Sequence, residues 1–119
     1  MRVLIVDDSR LARMALRKAL PPSVPTEVIE VANGNDAIQC VESSRVDLMF
    51  LDLTMPERDG YQVLKALQDS GRTPPTIVVS ADVQSMAAER VMKLGALAFL
   101  KKSVNQAELA DVLKRAGLL

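Results

Sequence analysis

Five short apolar runs, each followed by a stretch of helical spacing, set the strongest limit on what this chain can fold into. The runs are Val3–Val6, Glu27–Val31, Asp47–Leu51, Thr76–Val79 and Ala96–Leu100, and turn-forming residues or charges bound them, as expected of strands. Between and after them, apolar residues recur at helical intervals: Leu11, Met14, Ala15 and Lys18 or Ala19; Ala37, Ile38 and Val41; Tyr61, Val63, Leu64 and Leu67; and Ala107 or Leu109, Val112, Leu113 and Ala116. A less amphipathic helix is predicted over 84–94, with Gly95 at its end. In the first helix Arg10, Arg13 and Arg17 are expected to face water. Pro21-Pro22, Asn33-Gly34-Asn35 and Gly71 mark the remaining breaks. Connections this short leave strand–helix–strand crossovers as the solution, right-handed and parallel, with helices on both faces. The prediction is therefore an α/β fold, a doubly wound five-stranded parallel sheet in (βα)5 order, forming one domain over 1–119.

The third run is the most informative. Val46, Leu48, Met49, Phe50 and Leu51 are nearly continuous in apolar character, which suits a strand covered on both faces. The second run alternates acidic and apolar residues and is expected nearer an edge. Asp52 stands where the third run stops, and Pro56 and Gly60 turn the chain away. Open α/β sheets bind ligands outside the carboxyl ends of their strands. The groups sent there are Asp7 and Asp8, Asp52, Ser80, and Lys101 or Lys102.

Composition narrows the chemistry of that edge. The chain has no histidine, which removes imidazole acid/base catalysis and His-assisted nucleophiles. Its single cysteine, Cys40, reads as a core residue and suits a reducing compartment. Fifteen Lys plus Arg against fifteen Asp plus Glu give no electrostatic case for direct contact with nucleic acid or an anionic membrane. No apolar run reaches spanning length, and Met1-Arg2-Val3 enters a strand directly, so a cytoplasmic location without signal or anchor is expected. Clustered carboxylates persist ionised only beside positive charge, and a hard divalent cation such as Mg2+ matches two or three carboxylates plus a backbone carbonyl. A lysine and a hydroxyl alongside suit a phosphoryl group, whose equatorial oxygens they would contact. Asp52 is then the best-placed nucleophile, an ionised carboxylate that needs no general base.

Four segments, VLIVDDS (3–9), VDLMFLDLTMPERDG (46–60), TIVVSAD (76–82) and GALAFLKKS (95–103), together resemble the response-regulator receiver domains of two-component signalling. The likeness spans essentially the whole chain and implies a flavodoxin-like three-layer sandwich. It implies that Asp52 accepts a phosphoryl group from phosphohistidine on a sensor histidine kinase or histidine phosphotransfer protein, with small phosphodonors as substitutes. Asp7, Asp8, Asp52 and the carbonyl of Thr54 would hold Mg2+. Ser80 would be the switch hydroxyl and Phe99 the switch aromatic. Spacing from Gly95 and Phe99 places Lys102, not Lys101, at the family's lysine position. Thr54 and Asp82 would flank the phosphoryl group. The family usually has proline after that lysine, commonly through a cis bond; Ser103 stands here, which leaves the loop geometry open.

Other readings fare worse. A flavin or nucleotide module would need glycines in the turn Asp7-Asp8-Ser9-Arg10, which has none. Hydrolases with an Asp nucleophile usually carry a second acid two positions on, where this chain has Thr54, so no turnover of an external substrate is expected. The expected function is a phosphorylation-controlled switch that changes its surface toward a downstream protein. The alternatives are the receiver portion of a longer protein with a further effector domain, and a degenerate receiver that serves only for interaction.

Overall fold

The computed structural model describes residues 1–23, 27–81 and 86–119. Among the described residues five strands and five helices alternate: β1 (Arg2–Val6), α1 (Arg10–Ala19), β2 (Glu27–Val31), α2 (Gly34–Ser43), β3 (Leu48–Leu51), α3 (Gly60–Ser70), β4 (Thr76–Ser80), α4 (Ala87–Lys93), β5 (Ala98–Lys101) and α5 (Gln106–Arg115). The strands form one parallel sheet in the order β2-β1-β3-β4-β5. The predicted architecture is thus the observed one. β2 lies at an edge, as its acidic alternation indicates.

Residues of each strand alternate between two cores. Leu4, Val6, Met49, Leu51 and Val78 join Val63, Leu64 and Leu67 of α3 and Ala37 and Val91 from α2 and α4. Val3, Ile5, Leu48, Phe50, Ile77 and Val79 face the other way, onto Leu16 and Ala19 of α1 and Leu109 and Leu113 of α5. The period of two along a pleated strand, with both sides apolar, is what makes the central strands read as continuous hydrophobic runs.

Local signals place the helix starts. Ser9, Asn33, Asp59 and Asn105 each accept a hydrogen bond from a backbone N–H in the first turn of α1, α2, α3 and α5. Asp59 and Gln62 bond reciprocally in a capping box. Gly71 ends α3 in the left-handed conformation, with φ of 69°. Two glycines mark close approaches. A Cβ on Gly34 would lie 2.5 Å from the Arg58 carbonyl oxygen, and one on Gly60 would lie 2.5 Å from that of Asp52. Between them Glu57, with φ of 69°, accepts a hydrogen bond from the Asn35 side-chain amide at 3.2 Å.

Three expectations need correction. The inner face of α1 is turned from the one predicted: Leu11 is 78% and Met14 42% exposed, whereas Leu16 and Ala19 are buried. Arg13, expected in water, is folded inward to pair with Glu30. Of the two residues offered for the inner face of α5, Ala107 and Leu109, it is Leu109 that faces the core, in keeping with the expectation. β5 begins at Ala98, two residues later than its apolar run, because Ala96 N–H caps α4 through Val91 O at 3.0 Å. The predicted start of the fourth helix and Asp82 lie outside the described residues.

Candidate functional site

After β1 the chain crosses to β2 on one side, and after β3 it crosses to β4 on the other, so a crevice opens at the carboxyl ends of β1 and β3. Asp7 and Asp52 are the first residues past those ends. Asp7 N–H donates to Val31 O at 3.2 Å and Asp52 N–H to Val6 O at 2.9 Å, which continues the sheet ladder by one residue and fixes both Cα atoms. Their carboxylates are buried, Asp7 at 1% and Asp52 at 5% exposure, while Asp8 stands in solvent above them. One carboxylate oxygen from each of the three lies within 4.8 Å of the others.

Lys102 supplies the positive charge. Its Nζ is 2.7 Å from Asp7 Oδ2 and 3.4 Å from Asp52 Oδ1. Its backbone N–H donates to Ser80 O at 2.9 Å, so the end of β4 positions it. The Lys102–Ser103 peptide is cis, which answers the geometry the sequence left open. Lys101 is exposed at the end of β5, pointing away as predicted. Ser80 is buried at the end of β4. Phe99 is half-buried on β5, opposite Val78 and against the α2–α4 core. Thr54 is exposed in the loop that follows Asp52.

The electrostatics follow from burial. Desolvation, and after it the charge of Asp7, pushes the Asp52 carboxyl up from 3.8 to about 6, against the pull of Lys102 and the Leu53 N–H. Burial opposes the Lys102 ammonium, but its hydrogen bond to Asp7 and the charges of Asp52 and Asp7 outweigh that and hold its pKa above the ordinary value. Two buried carboxylates against one ammonium leave excess negative charge. An all-oxygen donor set of this charge and spacing fits a hard divalent cation.

Sequence reasoning missed Arg13. Its Nη1 donates to the carbonyl oxygen of Asp7 at 2.6 Å and its Nε to Glu30 Oε1 at 2.9 Å. The available signal was the pair Arg13 and Arg17, one turn apart on α1, opposite an acidic residue in the neighbouring strand.

Residues 3–114 match the response regulator receiver domain. The chain is 42% identical over 103 residues to protein-glutamate methylesterase/protein-glutamine glutaminase 5 of Myxococcus xanthus, covering 85% of this chain and 30% of that protein. It is 34% identical over 119 residues to the positive alginate biosynthesis regulatory protein of Pseudomonas aeruginosa, covering 98% and 47%. The chain therefore spans less than half the length of these curated relatives. Among solved structures, a chain of the CheX-CheY-BeF3-Mg+2 complex from Borrelia burgdorferi superposes with a TM-score of 0.89 at 24% identity, covering all of this chain and 90% of that one, a likeness of fold. With the match over 3–114, the sheet order and the relatives in agreement, the chain belongs to the response regulator receiver domain family.

Proposed function

We propose that Asp52 is the phosphoacceptor of a switch whose state is read by a downstream protein. The observation that carries this is the convergence of the Asp7, Asp8 and Asp52 carboxylates within 4.8 Å, with Lys102 Nζ between Asp7 and Asp52. A carboxylate oxygen of Asp52 attacks the phosphorus of phosphohistidine, a P–O bond forms, and the P–N bond breaks with its electron pair passing to the imidazole nitrogen. Lys102 sits where its ammonium can meet the incoming phosphoryl oxygens. Asp7, Asp8, Asp52 and the Thr54 carbonyl would hold Mg2+, which when bound neutralises charge on the transferred group.

The donor is a sensor histidine kinase or a histidine phosphotransfer protein. The exposed apolar flank of α1, Leu11 and Ala15, lines a recess with Ser103 and Val104 next to Lys102 and offers a face beside the acceptor. The phosphoryl group draws in the Ser80 hydroxyl, and Phe99 follows, shifting the population between two packings of β4 and β5. The chain acts as one domain over 1–119, in the cytoplasm, without turnover of an external substrate. No described helix is long and apolar enough to cross a membrane. The greater length of the curated relatives favours a second arrangement, in which this receiver controls another domain.

The test is intact mass after incubation with acetyl phosphate, with and without Mg2+, for the wild type and Asp52→Asn. One base-labile phosphoryl increment, dependent on Mg2+ and on Asp52, is expected. A folded protein that binds Mg2+ yet gains no mass from acetyl phosphate or from any phosphohistidine donor would refute the assignment.

A further inference from the structure

Asp7 is held at each of its hydrogen-bonding positions. Its N–H donates to Val31 O, its Oδ1 accepts from Ser9 N–H at 2.9 Å, its Oδ2 meets Lys102 Nζ at 2.7 Å, and its carbonyl oxygen accepts from Arg13 Nη1 at 2.6 Å. The last of these contacts has a separate consequence. A peptide unit is planar, so fixing the carbonyl of Asp7 fixes the plane of the Asp7–Asp8 bond and the position of the Asp8 Cα. Asp8 is the one exposed member of the carboxylate trio, with no burial to hold it in place. The plane of that bond therefore sets the point from which the Asp8 side chain reaches its two buried neighbours.

Arg13 is itself clamped. Its side chain is 16% exposed, and Glu30 of β2 accepts from its Nε at 2.9 Å while accepting from Arg17 Nη1 at 2.7 Å. The hydrogen bond from Arg13, ahead of the opposing effect of burial, leads the influences that hold the Glu30 carboxyl below its ordinary pKa. The planar fork of the guanidinium reaches a carboxylate and a backbone carbonyl in two directions at once, which a lysine ammonium on its flexible stem does not reproduce.

The geometry points to Arg13 as a positioning residue for the cation site: bridging Glu30 and the Asp7 carbonyl, it sets the Asp7–Asp8 peptide plane and so keeps the Asp8 backbone where its carboxylate comes within reach of Asp7 and Asp52. This rests on the reading that those three carboxylates hold Mg2+. Residues that orient metal ligands from behind typically change metal affinity by about 10–100-fold when lost.

The experiment is calorimetric titration of the full chain with Mg2+, alongside thermal unfolding in chelator, for the wild type, Arg13→Ala, Arg13→Lys and Arg2→Ala. Arg2 is the control at the amino-terminal end of β1, the end of the sheet away from Asp7, where it pairs with Glu27 at 3.3 Å. Arg13→Ala is expected to bind Mg2+ about tenfold more weakly, and Arg13→Lys, which keeps the charge but not the planar fork, to fall between it and the wild type. Arg2→Ala should keep the wild-type Kd whatever its stability. A folded Arg13→Ala with the wild-type Kd overturns the inference. If that variant does not fold, an unchanged Kd for Arg13→Lys overturns it instead. A wild type that binds no Mg2+ removes the proposed cation site, and the role of Arg13 with it.

Discussion

Asp52 lies in a place that costs it its charge, and replacing it by asparagine should make the protein more stable. In the folded state its carboxyl titrates at about 6 against 3.8 for the free group, chiefly because burial removes water and secondarily because Asp7 is near. That rise corresponds to about 3 kcal/mol. The folded protein holds the proton more tightly than the unfolded chain, so this contribution favours folding below about pH 4 and is lost as pH rises through 6. Asparagine has the same shape and no charge to lose. Unfolding by urea, followed by circular dichroism in chelator from pH 4 to 8, gives the two stability curves. Groups whose pKa is lowered by their partners, Glu30 through Arg13 and Asp47 through the Arg2 N–H, act equally in both proteins and cancel in the difference. The advantage of Asp52→Asn should grow between pH 4 and 7 to at most about 3 kcal/mol, roughly 10 °C in Tm for a domain of this size. Mg2+ at a hundred times its Kd should restore about 2.7 kcal/mol to the wild type alone. A flat difference across that pH range, or a less stable variant at pH 7, would refute the reasoning.

Two further substitutions probe the elements around Asp52. Gly60→Ala puts a Cβ within 2.5 Å of Asp52 O and 2.9 Å of the Leu53 Cα, backbone that cannot rotate aside, and should cost about 2 kcal/mol or more in urea unfolding. Phe99→Ala should leave the phosphoryl mass increment intact while shrinking the difference in amide exchange over β4 and β5 between the phosphorylated and unphosphorylated forms; equal loss of both would contradict its role as the switch aromatic.

The sheet was legible because both-sided burial writes itself as continuous apolar runs, and Asp52 was legible because it interrupts one of them. Lys102 could be chosen over Lys101 from its distance to Phe99; in the structure Lys101 is exposed while the Lys102 ammonium lies 2.7 Å from Asp7 Oδ2. The face of α1 was misread for a chemical reason. Its true inner row, Ala12, Leu16 and Ala19, contains two alanines that carry little apolar signal, while Leu11 and Met14 on the outer row carry a strong one. The same rotation brings Arg13 inward, and no periodicity argument anticipates a cation turned toward a backbone carbonyl. The Lys102–Ser103 peptide geometry was unreadable because serine, unlike proline, leaves no mark of a cis bond in the sequence.

The seating of Gly34 against the Arg58 carbonyl reaches into what the chain will tolerate as an insertion. Surface loops usually absorb extra residues at little cost. The segment from Leu53 to Gly60 is different: Gly60 N–H closes it onto Leu53 O at 3.0 Å, Gly34 and Asn35 press on Arg58 and Glu57 from outside, and Gly60 rests on Asp52 O from within. Its residue count is fixed from both sides, and one added residue must displace either the start of α2 or Asp52 itself. A reporter peptide or fluorophore spliced into this protein belongs instead just past Gly71, where the chain is exposed and an added Cβ at Gly71 meets nothing within 4 Å, at the cost only of the hydrogen bonds that cap α3.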